Sequence, residues 1–578
     1  MKQIFFAFIF LLSVSFIGTI KAQQFNQAQV DSLFRDRGEI YFKCRIQDKE
    51  MIHTLTRIIS IDNVKGNELF AYANKKEFSE FLRYKLTITI LPDPGSLLKE
   101  SELNPFGSGS HLKNGETIWN FYPTYDDYVN YMAGFATAYP AISKLDTIGY
   151  SVQGRMILVL KISNSINQDE AEPQFLYTSS IHGDETTGYI LLLHLIDYLL
   201  SNYGIDPVIT NLVNTTQIFI NPLANPDGTY HGGNSSVNGA MRYNANFIDL
   251  NRNFPDPIVG PHPDGNAWQP ETQAWMNYAG ICHFTMSANF HGGSEVFNYP
   301  WDTWAKLNAD DNWWQFVGRE WADTSQYYGP SGYFNQQNNG ITNGYAWYEV
   351  NGGRQDYMNY WHHCKEVTVE LSDIKLMPAA QLLDYWNYNY HTFLNYIWES
   401  HYGFSGITTD TVTGQPIAAK VFIAGHDFDS TEVHSRLPSG FYIRPIYEGT
   451  YDVTFSSPGY FTKTISNVTI LNRNTTNLNV QLRPLTYDVG EKAVVTRLVY
   501  PNPSDGHFSL IFPETLNNPS CSIQVINSIG SVVYSANVCQ SRGKTTAPVD
   551  IQNLPEGLYF LKFNSGSSIY IDKLHIIK

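Results

Sequence analysis

The residue pattern of the chain changes at about residue 402, and this change limits the possible folds more than any other sequence feature. Before it, helix-like runs such as residues 189–200 alternate with β-rich runs such as residues 217–220 and 367–371. Such alternation is typical of an α/β sheet core. After it, short β-rich runs separated by Gly, Pro, Asn and Asp remain, for example residues 420–424. This second pattern predicts β-sandwiches.

Two further breaks complete the division of the chain into domains. A polar Gly/Ser stretch occupies residues 107–115, and a second break at residues 484–496 divides the β-rich part in two. We therefore predict an α/β protein whose central mixed-sheet domain is flanked by one small α+β domain and two β-sandwiches. The predicted boundaries are 23–110 for the α+β domain, 116–400 for the mixed-sheet domain, and 402–483 and 497–578 for the sandwiches.

The first 22 residues have the features of a secretory signal peptide. Lys2 precedes an apolar run from Ile4 to Ile17, and small and polar residues follow up to Ala22. The run is short for a membrane span, so cleavage near Ala22 is favoured over anchoring. We expect export through the periplasm to the cell surface or medium, and no transmembrane segment in the mature chain.

Charge argues against a nucleic-acid partner. The chain has 38 Lys and Arg residues against 54 Asp and Glu residues, a net charge of −16. A phosphate backbone would be repelled by such a chain.

Two segments place metal-ligand side chains where a β-rich run gives way to glycine. His182 and Glu185 stand three apart in the first, and His291 precedes two glycines in the second. The carboxyl edge of an α/β sheet is where such folds place their sites. Two imidazoles and one carboxylate can hold Zn²⁺ and leave a fourth position open. The two segments together predict a zinc site, whereas either alone would more often be a helix cap or a surface pair.

Charged groups that can bind a carboxylate, a cation or a metal-bound water lie further along the chain. Arg242 and Arg252 stand among several amides in residues 241–254, and Arg forks bind carboxylates through paired hydrogen bonds. Glu366 and Glu370 share one face of a predicted strand, where a carboxylate is costly unless a cation or a metal-bound water meets it.

These segments resemble the zinc metallocarboxypeptidases of the carboxypeptidase A type, particularly the regulatory N/E subfamily with its His-Gly-x-Glu and His-Gly-Gly motifs. The resemblance covers residues 116–480 and implies one zinc ion per catalytic domain and peptide or protein C-termini as substrates. Matched motif by motif, the resemblance implies that His182, Glu185 and His291 are zinc ligands. It implies Glu370 as the general base and Arg242 as the group that polarises the scissile carbonyl. It also implies that the terminal carboxylate of the substrate is bound by Asn251, Arg252 and Tyr348.

The resemblance extends to the side-chain preference. The subfamily that favours C-terminal Lys and Arg is similar to this chain at Asp302 and Gln355, and an acid and an amide at a pocket floor suit a cation. Both residues could also be ordinary loop residues. Enzymatic alternatives on the same scaffold are cleavage of peptidoglycan stem peptides or of glutamate tails, and the non-enzymatic alternative is an inactive surface binding protein.

The outer domains resemble known modules as well. Residues 402–483 resemble the transthyretin-like sandwich that follows the catalytic domain in the same subfamily, and the expected role is structural. Residues 497–578 resemble the C-terminal sorting domains of the type IX secretion system of Bacteroidetes, which implies that machinery as a partner. A plain adhesion sandwich is the alternative. The leading domain could be an inhibitory pro-segment or a permanent accessory domain.

Overall fold

The computed structural model describes residues 25–35, 37–104, 112–113, 116–485, 498–511, 520–539, 546–565 and 568–578. The predicted signal peptide, residues 1–22, lies outside these ranges. The described chain falls into two compact units, Met1–Leu485 and Thr486–Lys578, which are treated separately below. Within the described residues, none of the helices combines the length and the apolar character needed to cross a bilayer.

The N-terminal domain is a four-stranded sheet in the order β2-β3-β1-β4 with helices packed against it. The buried residues of its apolar core lie between Val30 and Ile88, and Tyr348, from outside the domain, packs against them. Its elements are α1 (Gln27–Leu33), β1 (Glu39–Arg45), α2 (Glu50–Leu55), β2 (Ser60–Lys65), β3 (Glu68–Asn74), α3 (Lys75–Phe81) and β4 (Ile88–Ile90). A short helix and a small hairpin lead out of the domain: α4 (Glu100–Leu103), β5 (Leu112–Lys113) and β6 (Glu116–Thr117).

The central domain is built on an eight-stranded mixed sheet in the order β13-β12-β14-β11-β9-β10-β8-β7. Its strands are β7 (Ser143–Tyr150), β8 (Met156–Ile162), β9 (Gln174–Ser179), β10 (Gln217–Asn221), β11 (Phe284–His291), β12 (Ser294–Tyr299), β13 (Ile341–Asn343) and β14 (Lys365–Ser372). Strands β10, β9, β11 and β14 are parallel neighbours, so their carboxyl ends meet at one edge. Because both faces are covered by helices, these four strands are buried throughout.

Helices cover the sheet through a large aromatic and aliphatic core. They are α5 (Tyr125–Ala138), α6 (Thr187–Asn202), α7 (Pro207–Thr215), α8 (Pro226–Thr229), α9 (Pro270–Ile281), α10 (Asp311–Tyr328), α11 (Gln336–Gly340), α12 (Gly344–Trp347), α13 (Arg354–His362) and α14 (Leu382–Glu399). Helix α6 is buried along most of its length and begins directly after the Glu185 segment, so the core fixes the start of α6 beside the sheet edge. The predicted mixed α/β class is confirmed.

A β-sandwich follows the central domain within the same compact unit. Its strands are β15 (Gly403–Asp410), β16 (Lys420–Ile423), β17 (Val433–His434), β18 (Phe441–Arg444), β19 (Gly449–Ser456), β20 (Lys463–Ile470), β21 (Thr475–Asn477) and β22 (Val480–Leu482). Charged side chains connect it to the central domain: the buried Arg444 guanidinium contacts Asp427 at 2.7 Å and Asp310 of the central domain at 2.8 Å. Lys365 pairs with the same Asp310 carboxylate, so the junction contains a buried ionic network beside the apolar contact of Tyr447 with Phe316.

The second compact unit is all β, as the sequence predicts. Its strands are β23 (Val499–Tyr500), β24 (His507–Ile511), β25 (Ser520–Ile526), β26 (Val532–Cys539), β27 (Thr546–Asp550), β28 (Gly557–Ser565) and β29 (Ser568–Ile576). They form one three-stranded and one four-stranded sheet around an apolar core that is separate from the others.

Candidate metal centre and substrate cleft

The carboxyl edge of the central sheet carries a cluster of three metal-ligand side chains. His182 and Glu185 lie in the turn between β9 and α6, and His291 is the last residue of β11. His182 Nδ1 and His291 Nδ1 lie 3.0 and 2.8 Å from Glu185 Oε2, and the two imidazole nitrogens lie 3.0 Å apart. Among the described residues these three form the group of His, Cys, Asp or Glu side chains whose ligand atoms converge closely enough to hold a metal ion.

The chemistry of this donor set fits Zn²⁺. His182 directs Nε2 to Asp249 Oδ1 at 3.1 Å, which leaves Nδ1 as the nitrogen that faces the other two ligands. A carboxylate on the outer nitrogen of a zinc-binding imidazole is the usual device for fixing its orientation. The side-chain amide nitrogen of Asn289 lies 2.9 Å from the outer nitrogen of His291. Two oriented imidazoles and one carboxylate are the donor set of catalytic zinc sites, which keep a fourth position for water or substrate.

Glu370 lies beside this cluster because of strand register. His291 of β11 pairs with Glu370 of the parallel strand β14, so both side chains reach the same edge. Glu370 is buried, and within the described part of the chain its Oε2 atom meets no hydrogen-bond partner. Burial and then the negative charge of Glu185 raise the pKa of Glu370 well above its ordinary value. A carboxylate held in such surroundings has a strong tendency to take up a proton.

Arg242 reaches the cluster from the loop that follows α8. Its Nη1 atom lies 3.0 Å from Glu185 Oε1, and the guanidinium is 2% exposed. Arg242 therefore places a permanent positive charge at the edge of the metal-ligand cluster, where a developing oxyanion would need one.

The three predicted carboxylate binders line the same cavity as the metal-ligand cluster, and two of them are engaged by the N-terminal domain. Arg252 Nη2 donates a hydrogen bond to the carbonyl oxygen of Ile61 at 2.9 Å, and the Tyr348 hydroxyl donates one to the carbonyl oxygen of Asp62 at 3.2 Å. Asn251 accepts a hydrogen bond from the backbone N–H of Arg354 through Oδ1. Strand β2 of the N-terminal domain thus covers two of the three predicted carboxylate binders.

Of the two residues predicted to form the pocket floor, Asp302 lines this cavity, whereas Gln355 is buried and is not among the lining residues. Asp302 lines the cavity next to Gly344, where a Cβ atom would come 1.7 Å from Asp302 Oδ1, so only glycine permits this approach. Burial raises the pKa of Asp302 to about 7, although the Asn298 hydrogen bond and the charge of Arg252 act in the opposite direction. Gln355 accepts a hydrogen bond from the backbone N–H of Thr368 and supports β14.

Three residues at or beside this cleft were not singled out by the sequence analysis. Asp249 fixes His182, as described above, and Lys375 places Nζ 2.7 Å from Glu185 Oε1. Asp62 of β2 lies 2.7 Å from Lys375 and 3.3 Å from Arg242. A local signal existed for Asp249, because it stands in the Arg- and amide-rich segment, but none existed for Lys375 or Asp62.

Comparison with known proteins now decides the family. The family described as "Zinc carboxypeptidase" matches residues 128–392. Carboxypeptidase M of Mus musculus is 36% identical over 351 residues, which are 57% of this chain and 76% of that protein. The chain belongs to the zinc carboxypeptidase family. Carboxypeptidase D of Rattus norvegicus is 37% identical over 370 residues, which are 61% of this chain and only 26% of that longer relative.

The remaining comparisons concern the fold and the C-terminal unit of the chain. The crystal structure of carboxypeptidase A from Helicoverpa armigera matches with a TM-score of 0.50 and 18% identity, covering 62% of this chain and 96% of that one, and shows the fold alone. Residues 498–578 match the family described as "Secretion system C-terminal sorting domain". This match supports the predicted sorting domain and points to secretion or cell-surface export.

Proposed function

We propose that the protein is a zinc-dependent metallocarboxypeptidase that hydrolyses the last peptide bond of peptides and proteins. The observation that carries this proposal is that the three metal ligands share one buried cavity with Glu370, Arg242 and Arg252. A metal ligand set, a base, an oxyanion partner and a carboxylate partner are the groups that this reaction needs. The relatives named carboxypeptidase M and carboxypeptidase D support the same conclusion.

The residues divide the chemistry between them. Zn²⁺ held by His182, Glu185 and His291 would polarise the scissile carbonyl and lower the pKa of a water molecule. Glu370 accepts a proton from the attacking water at its unpartnered oxygen and passes it to the leaving amine. Arg242 stabilises the negative charge that develops on the carbonyl oxygen.

Arg252 restricts the reaction to chain ends. A free terminal carboxylate offers its guanidinium a bidentate partner, with Asn251 and the Tyr348 hydroxyl beside it. An internal peptide bond offers no such partner and would leave a buried cation unpaired, which is costly. The proposed product is therefore a single C-terminal residue.

The proposed preference for C-terminal Lys or Arg rests on Asp302. Its carboxylate lies at the wall of the cavity that also contains Arg252, and an aromatic or aliphatic substrate side chain would leave it buried without a countercharge. Gln355 acts in this proposal behind the pocket, where it accepts a hydrogen bond from the backbone of β14. An acidic substrate side chain, as in glutamate tails, would meet a like charge.

The substitution Asp302→Asn is expected to remove the preference. The ratio of kcat/KM for a peptide ending in Arg to that for one ending in Leu should fall about 100-fold, because a buried pair of opposite charges is lost. The control Asp323→Asn, on the exposed face of α10, should leave the ratio unchanged. An unchanged ratio in Asp302→Asn would show that Asp302 does not contact the side chain of the released residue.

The same ratio is expected to rise with pH. Because the pKa of Asp302 is raised to about 7, its carboxyl group is neutral below that pH and charged above it. The charged groups that face it are Arg252, which favours ionisation, and Asp256 and Asp356, which oppose it. The Arg-to-Leu ratio should increase about tenfold per pH unit below the pKa and level off above it. A ratio independent of pH across this range would contradict the assignment.

The domain formed by residues 23–110 acts in this proposal as an inhibitory pro-segment. The main-chain carbonyls of Ile61 and Asp62 accept hydrogen bonds from Arg252 and Tyr348, respectively. The Asp62 carboxylate also accepts one from Arg242. A peptide could not reach these groups while β2 lies on them. The separate apolar core of the domain allows it to detach as one folded piece.

Export and accessory roles complete the proposal. The sorting domain supports recognition by the type IX secretion machinery after passage through the periplasm, with removal of the domain on arrival. The sandwich of residues 402–483, which resembles transthyretin-like domains, has a structural role, supported by its buried ionic junction with the central domain.

The proposed activity can be tested with matched peptides ending in Arg, Lys, Phe, Leu or Glu. We expect mass spectrometry to show loss of one terminal Arg or Lys after proteolytic removal of the N-terminal domain, abolished by a chelator and restored by zinc. Loss of Glu, or release of residues from peptidoglycan stem peptides, would support the proposed reaction but contradict the proposed preference for Lys or Arg. No cleavage of any peptide would favour a binding protein without activity.

A further inference from the structure

Two cations of the central domain converge on one carboxylate of the N-terminal domain. Lys375 Nζ and Arg242 Nη1 lie 2.7 and 3.3 Å from Asp62 Oδ1, and all three side chains are at least nine-tenths buried. The Tyr41 hydroxyl donates to the other carboxylate oxygen. A carboxylate with these partners is held in a specific position rather than packed there by chance.

Lys375 is fixed for this contact by the central domain itself. Its carbonyl oxygen accepts a hydrogen bond from the backbone N–H of Thr186, next to the metal ligand Glu185. Gly293 leaves room for its side chain, since a Cβ atom there would lie 3.1 Å from Lys375 Cε. The ammonium group also contacts Glu185 Oε1 and the carbonyl oxygen of Gly292. Removal of Asp62 takes away one of the negative charges around this buried ammonium, and Glu185 and the buried Asp184 remain.

The path of β2 shows which part of a substrate would supply that charge. Ile61 lies at Arg252, the end of the cleft for the terminal carboxylate, and Asp62 lies one residue further out. The following residue, Asn63, lines a second cavity that continues outward past Lys375 and Leu97. A peptide with its last residue at Arg252 would place the side chain of its preceding residue near Lys375.

The geometry points to Lys375 as a specificity residue that selects an acidic side chain at the position preceding the released residue. In the full chain, where the N-terminal domain covers the cleft, the Asp62 carboxylate takes the position of that side chain. This inference rests on the proposed carboxypeptidase activity and names a finer substrate class for it: chains ending in Asp or Glu followed by the residue that is removed. Asp373, the acidic group nearest in sequence, is exposed and pairs with the Gln336 amide.

The test uses the chain after proteolytic removal of the N-terminal domain, since all buried residues of the main core except Leu103 lie in the central domain. Peptides of one length ending in Glu-Arg, Gln-Arg and Lys-Arg are compared. We expect kcat/KM for Glu-Arg to exceed that for Gln-Arg by about tenfold, with Lys-Arg the poorest. Lys375→Met should reduce the Glu-to-Gln ratio to about one, whereas Lys375→Arg should retain it.

Two further measurements separate this inference from the proposed function. Zinc content is measured in each variant, because Lys375 also contacts Glu185. Peptide binding is measured by calorimetry in the Glu370→Gln background. There, Glu-Arg should bind more tightly than Gln-Arg with Lys375 intact or in Lys375→Arg, and equally in Lys375→Met. Equal binding and equal rates throughout would overturn the inference while leaving the release of Arg intact. Absence of Arg release, with selective binding retained, would overturn the proposed activity instead.

Discussion

Glu370→Gln is expected to lower kcat by about 10²- to 10⁴-fold, the usual contribution of a positioned general base. The amide has the same shape as the carboxyl group but cannot accept the proton of the attacking water. Because Glu370 is not among the three metal ligands, zinc content should remain that of the wild-type protein. Turnover is measured with a peptide ending in Arg after removal of the N-terminal domain, and metal content by elemental analysis.

The matched control for this experiment is Glu170→Gln, which changes an exposed carboxylate of the central domain outside the cleft. It should behave like the wild-type protein. Turnover within about threefold of wild type in Glu370→Gln would mean that another group takes the proton, because a lost general base costs far more than this.

Asp62→Ala is expected to activate the full chain without proteolysis. The substitution leaves Lys375 and Arg242 without their partner across the domain contact, and breaking a buried ion pair costs about 3–5 kcal/mol. In the closed arrangement the N-terminal domain lies on the cleft, and in the open one it does not. The loss of this free energy lowers the equilibrium ratio of closed to open chains by at least about 100-fold. Even partial opening should therefore raise kcat/KM for a short peptide ending in Arg by at least about tenfold over that of the covered wild-type chain.

The control for the N-terminal domain is Glu68→Ala, which removes an exposed ion pair with Lys43 on the same sheet. Exposed pairs contribute about 0–1 kcal/mol, so the activity of this variant should stay at the wild-type level. A wild-type full chain that cleaves peptides as fast as the trimmed enzyme would show that the N-terminal domain is a permanent accessory and not a pro-segment.

The metal-ligand cluster could be predicted from sequence because strand ends determine it. His182 and His291 each follow a β-rich run, and parallel strands bring their carboxyl ends to one edge. Glu370 could be placed on the same edge by the alternation of β14, and the register with His291 agrees with this placement. Local periodicity was sufficient here because each residue lies on or directly after a regular strand.

The contact with the N-terminal domain could not be predicted in this way. Strand β2 is half polar, with Ser60, Asp62 and Asn63 within six residues, so it lacks the alternation that identifies a half-buried strand. These polar residues are nevertheless buried or half-buried, because their face is turned toward charged groups of another domain rather than toward solvent. Partners as distant in the chain as Ser60 and Arg242, 182 residues apart, leave no local sequence signal.

The charged junction between the sandwich and the central domain also limits which domains can be exchanged with those of relatives. It consists of Arg444, Asp310, Asp427 and Lys365. A chimera that joins the sandwich of one relative to the central domain of another would bring together only half of a buried charge set. Each orphaned charge would then be carried into the interior without compensation. A chimera that carries this sandwich therefore needs Asp310 and Lys365 in its central domain, so that the four charged residues stay together.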